Sequence, residues 1–111
     1  MALQINPSLN GSTARLELIG ELDGKIAPAV RDAVDKLLGG SPGILILNVA
    51  ELTFMSSAGL RVLIFAKQKQ PSLKIYVVKP QAPVLDTLHK TGFFDGVYVT
   101  EAEPDLGTAA S

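Results

Sequence analysis

The spacing of hydrophobic positions changes several times along the chain, and each change marks an element. Leu3, Ile5 and Leu9 stand among polar residues as in a strand. Pro7 places that segment at a sheet edge, because it has no N–H to give to a ladder. Asn10-Gly11 follows, and both residue types tolerate positive φ, which predicts a hairpin into a second strand carrying Leu16, Leu18 and Leu22 on one face. The period then becomes helical. Ala33, Val34, Leu37 and Leu38 fall three, four, seven and eight places after Val30, and Ile26 lies one turn before it. Pro28 suits the first turn of this helix, and the stretch from Gly39 through Pro42 to Gly43 ends it, glycine accepting a left-handed cap.

Ile44 to Val49 is a near-continuous apolar run too short for a typical helix, as expected of a central strand buried on both faces. Leu73 to Val78 repeats the pattern after a second helix that runs to about Gln70. A third helix is predicted from Pro83 to Lys90, capped by Gly92, with Phe93 and Phe94 folding back onto the core and Val97 to Val99 forming a last short strand. Strands alternating with helices predict parallel crossovers, so the fold class is α/β: a mixed four- or five-stranded sheet packed with helices. Residues 101–111 hold one bulky apolar side chain, Leu106, and are expected to fray, leaving a single domain over 1–100.

Composition narrows the chemistry. The chain has 111 residues, 47% of them hydrophobic, enough for one core. Ten Lys plus Arg against eleven Asp plus Glu give a formal charge of −1, so no sequence-wide positive field is available to hold nucleic acid. Zero Cys and one His remove disulfides, thiol nucleophiles and multi-histidine metal sites. No phosphate-cradling Gly-x-x-x-x-Gly-Lys motif occurs, and no nucleophile, base and orienting group can be named together, so the expectation is a non-enzyme without cofactor or metal. The first residues carry no basic start and no run approaches the length that spans a bilayer, which makes the cytoplasm the expected compartment. Asn10-Gly11-Ser12 reads as a turn rather than a glycosylation acceptor, His89 as a solvated helix-end residue, and Lys67, Lys69 and Lys74 as a solvated basic patch.

The informative segment is Leu52 to Arg61. Ser56 or Ser57 is expected to cap the second helix, where unpaired N–H groups and the positive end of the helix dipole welcome an anion. A phosphoryl group on Ser57, with a charge of about −1.5 to −2, would be tolerated there and would transform any surface laid over the loop. The plainer reading is a capping serine contributing about 1 kcal/mol. From Leu60 to Ala66 only Arg61 is polar, and Phe65 falls on the same side as Arg61, Gln68 and Lys69. That aromatic either presents itself to a partner or lies beneath a neighbouring loop or helix.

Gly20-Glu21-Leu22-Asp23, the strand Ile44 to Val49 and the block Leu52 to Leu63 together resemble the STAS domain of bacterial anti-sigma factor antagonists, over about Leu3 to Val99. The resemblance implies a STAS-type single domain that binds an anti-sigma factor, usually a serine kinase, frees a sigma factor, and so regulates transcription indirectly. In that family phosphorylation of the serine opening a Ser-(Ser/Ala/Gly)-Gly-Leu stretch breaks the contact, and a phosphatase restores it. Ser57-Ala58-Gly59-Leu60 matches, making Ser57 the implied phosphoacceptor. Where the family usually carries Asp, this chain has Ser56, a second candidate acceptor. The implied partner surface comprises Gly20, Glu21, Asp23, Met55, Ser56, Ser57, Ala58, Gly59, Arg61 and Phe65, although Gly20 and Asp23 also have plain readings as a turn residue and a helix cap. The rival is a STAS scaffold or accessory subunit of a stress-sensing complex or transporter whose Ser57 is never modified. Direct nucleic-acid binding and membrane insertion are not expected.

Overall fold

The computed structural model describes residues 3–91 and 97–101. Its elements run β1 (Gln4–Asn10), β2 (Thr13–Leu22), α1 (Ala27–Leu38), β3 (Ile44–Met55), α2 (Ser57–Lys69), β4 (Lys74–Val78), α3 (Ala82–Thr91) and β5 (Tyr98–Thr100). The expected cap at Gly92, the fold-back of Phe93 and Phe94, and residues 102–111 of the tail lie outside the described residues.

The five strands stand side by side in chain order. β1 and β2 form an antiparallel hairpin in which Asn10 pairs with Thr13, so the turn is Gly11-Ser12, one residue later than the sequence reading. Gly11, at φ 62°, supplies the left-handed conformation, and Asn10 remains in the ladder. Every later pairing is parallel. Right-handed crossovers between successive neighbours put all three helices on one face of the sheet, consistent with the packing of α2 against both α1 and α3.

β3 is the central strand, and the expected burial on both sides holds over Leu45 to Leu47, where all three residues are buried, while the helices cover one face only. Leu45, Leu47 and Val49 of β3 enter the main core with Leu16, Leu18, Val34, Leu63 and Val84. Ile46 is buried too, but outside that cluster, flanked in register by Arg15 and Tyr76. The second face is largely polar, with Ile46 and Val78 sheltered on it. It also bears the stacked rings of Tyr76 and Tyr98, 5.0 Å apart.

β3 runs six residues past the apolar stretch because two irregularities renew its alternation. Glu17 and Ile19 of β2 oppose Asn48 and Glu51, and Gly20 and Glu21 oppose Leu52 and Phe54, so β3 carries an extra residue at each place. Inward positions shift from Val49 to Leu52 and then to Met55. The Asn48 side chain accepts from the Ala50 N–H at the first bulge, and the Thr53 hydroxyl donates to the Gly20 carbonyl at the second, 3.0 Å away. Gly20 itself lies at φ 119°, a conformation that side chains rarely adopt.

At the end of α1, Gly39 remains helical at φ −59°, contrary to the expected left-handed glycine. Bonds from the Gly40 and Ser41 N–H groups to Leu37 and Leu38 carry the turn onward, and Ser41 takes φ 51°. The basic patch also differs from expectation. Lys67 donates to the Leu73 and Pro71 carbonyls at 2.7 and 3.1 Å, fastening the α2–β4 connection, and Lys69 pairs with Asp35 of α1.

Candidate functional site

The carboxyl ends of β2 and β3 lie side by side, with Leu22 opposite Met55, and each leads into a helix. The Ser56 N–H donates to the Leu22 carbonyl at 2.9 Å and locks the two exits together. At the first exit the Asp23 carboxylate accepts from the N–H groups of Lys25 and Ile26, at 2.9 and 3.1 Å, closing the turn before α1, whose N-cap is Ile26 and not Asp23. At the second exit Ser56 is the N-cap, extended at φ −81° and ψ 170°, with its hydroxyl accepting from the Gly59 N–H. Gly24 and Ala58 bring the two loops together: a β-carbon on Gly24 would lie 4.0 Å from that of Ala58.

Ser57 is the first helical residue and is exposed. The Gly59 and Leu60 N–H groups are satisfied by Ser56, whereas those of Ser57 and Ala58 find no acceptor among the described residues. The first turn of α2 contains no acidic side chain, so no carboxylate of its own offsets the positive end of the helix dipole. Arg61 stands one turn above Ser57, also exposed. This end of α2 is arranged to accept negative charge on the residue 57 side chain.

Two residues of the expected partner surface face inward. Met55 is 2% exposed and part of the core. Gly59 is buried, and a β-carbon there would come within 2.7 Å of Leu22 and 3.1 Å of Met55. Both shape the loop from beneath and neither offers surface to a partner. Gly20 is half-buried at the bulge, and Glu21 is exposed one step away. Beside Glu21 in register lies Phe54, 43% exposed, which the sequence reading missed. The apolar run ends at Val49 and assigns Phe54 no face; in the full strand Phe54 alternates with the inward Met55 and points outward.

Phe65 meets both readings of its position. It is half-buried, with the Arg31 guanidinium 4.5 Å and the Lys69 ammonium 5.7 Å from its ring centroid. It also lines an open groove of about 540 Å³ between α1 and α2 that begins at Gly24 and Ala58 and passes Arg61. No group of His, Cys, Asp and Glu able to hold a metal occurs among the described residues. Among them, no helix is long and apolar enough to cross a membrane.

The STAS domain family model matches residues 4–109. The chain belongs to the STAS domain family. Its five-stranded mixed sheet with three helices is the STAS fold. Comparison with the curated proteins finds no match. Among solved structures, this STAS chain is similar to an anti-sigma factor antagonist from Mycobacterium paratuberculosis at 22% identity and TM-score 0.82, covering 97% of this chain and 93% of the other. It is similar to the anti-sigma factor antagonist SpoIIAA in its unphosphorylated form, at 19% identity and TM-score 0.71, over 98% and 96% of the two chains. The Bacillus cell fate determinant SpoIIAA in the phosphorylated form gives 18% identity and TM-score 0.69, over 98% of each.

Proposed function

We propose that this STAS protein is an anti-sigma factor antagonist that binds an anti-sigma factor through the paired loops at Asp23–Gly24 and Ser56–Ala58, and that phosphorylation of Ser57 breaks the contact. The observation that carries this reading is the exposed Ser57 hydroxyl on the first turn of α2, a turn with no acidic residue and with two N–H groups that lack acceptors among the described residues. The phosphoryl charge is tolerated by the fold at that point, while a closely apposed partner meets added negative charge, only partly offset by the helix dipole, that it must desolvate. The likeness to antagonists known in unphosphorylated and phosphorylated forms supports the same reading.

In this proposal the protein is a single domain over 1–100 with a trailing segment at 101–111, works in the cytoplasm, catalyses nothing, and needs no cofactor. The partner is an anti-sigma factor that is itself a serine kinase, and a phosphatase resets the switch. Glu21, Phe54 and Arg61 supply the rest of the docking surface. The deciding experiment incubates the protein with the candidate kinase and ATP, then locates added phosphate by mass spectrometry and measures binding. Label on Ser57 with loss of binding supports the switch, whereas stable binding without label removes it. Ser56 favours a second reading, because a hydroxyl stands where the family usually presents a carboxylate next to the acceptor. On that reading the protein is a scaffold or accessory subunit with an unmodified Ser57, and native size-exclusion would find it in a large particle rather than in a small complex with a kinase.

A further inference from the structure

The groove between α1 and α2 has features the Ser57 loop does not explain. Its floor is apolar, formed by Pro28, Ala58, Val62, Ile64 and Phe65. Among the described residues its only charged lining side chains are Arg31 and Arg61, in a chain whose net charge is −1. Neither arginine has a carboxylate partner among the described residues. Pro28, Arg31 and Phe65 also line an adjoining hollow that holds Asp32 and Asp35, and Asp35 is engaged by Lys69. Arg31 lies over the Phe65 ring, so its position is fixed by stacking while the N–H donors at its edge remain available for a carboxylate.

We propose that this groove anchors an acidic amphipathic segment of a protein partner, with apolar side chains over Val62 and Phe65 and carboxylates on Arg31 and Arg61. The sign of the lining charge selects the occupant: a basic segment would meet two unpaired guanidinium groups, and a purely apolar one would leave both unpaired against its surface. The groove continues from the Ser57 loop through Gly24 and Ala58, so one partner can engage both. To that extent the inference rests on the reading of that loop as a docking site.

The test uses two synthetic amphipathic peptides with the same Leu and Phe face, one carrying Glu and the other Lys on the opposite face, titrated into the 15N-labelled protein. The Glu peptide is expected to shift the amides of Gly24, Ala58, Val62 and Gln68. The double variant Arg31→Glu/Arg61→Glu should weaken it about tenfold, as should Arg31→Gln/Arg61→Gln to a smaller extent. Lys36→Glu, a charge reversal on α1 outside the groove, should leave it unchanged. Equal binding of the Lys peptide, an equal loss from Lys36→Glu, absence of binding by the Glu peptide, or shifts centred elsewhere would overturn the proposal. The switch at Ser57 fails separately: if Ser57→Asp keeps full affinity for the anti-sigma factor, that reading is lost whatever the peptides do.

Discussion

At the scale of single residues, the two neighbouring serines have different work. Ser56 caps α2, and its hydroxyl accepts from Gly59; Ser57 shows no hydrogen bond of its side chain among the described residues. Ser56→Ala is expected to lower stability by about 1 kcal/mol, whereas Ser57→Ala should change it by less than about 0.5 kcal/mol, both measurable by urea denaturation. Asp caps about as well as Ser, so Ser56→Asp should hold stability while placing a carboxylate before the proposed acceptor Ser57. If the phosphorylation proposal is right, that variant is modified faster by the kinase; an unchanged rate would mean the carboxylate has no part in phosphate transfer here. Gly59 carries a different constraint. A methyl group there meets Leu22 at 2.7 Å, and Leu22 is held in the core, so Gly59→Ala should cost about 1–3 kcal/mol by overpacking. The Ser-Ala-Gly-Leu block is legible as a motif, but the reason for its glycine depends on the approach of β2, which no local pattern reveals.

At the scale of elements, α1 is legible from periodicity because it buries one stripe, Val30, Val34, Leu37 and Leu38. β3 was legible only over Ile44 to Val49, where alternation is undisturbed. Beyond it the bulges at Asn48–Glu51 and Leu52–Phe54 change which positions face inward, so Leu52 to Met55 looks aperiodic while remaining in the ladder. The same limit hid Phe54. The lysines of α2 show a related difficulty, since charge in a sequence does not tell which ammonium will find carbonyl oxygens. Lys67 holds two carbonyls of the α2–β4 connection from a partly buried position, and Lys69 makes an exposed pair with Asp35. Lys67→Met should therefore lower stability by about 1–2 kcal/mol, and Lys69→Met by no more than about 0.5 kcal/mol. A urea midpoint that falls equally for both would mean the carbonyl bonds of Lys67 contribute nothing beyond a surface charge.

At the scale of the whole molecule, the switch is proposed to act on a frame that does not move. The loops around Ser57 are fixed by the Ser56 bond to Leu22, by the Asp23 turn and by the Thr87 hydroxyl, which donates to the Met55 carbonyl at 2.9 Å from α3. None of these uses the Ser57 side chain, so charge added there has no bistable element to drive. Ser57→Asp should therefore give two results of opposite sign. A carboxylate in the first turn interacts favourably with the helix dipole and should raise stability by about 0.3–1 kcal/mol. Binding to the anti-sigma factor should fall at least about tenfold through repulsion and desolvation at the contact. Amide shifts should change only around 22–27 and 56–61, with the resonances of β4 and α3 in place. Shifts spread across the sheet, or a fall in stability accompanying the loss of binding, would mean that the variant acts by rearranging the fold and that the contact surface is not itself the switch.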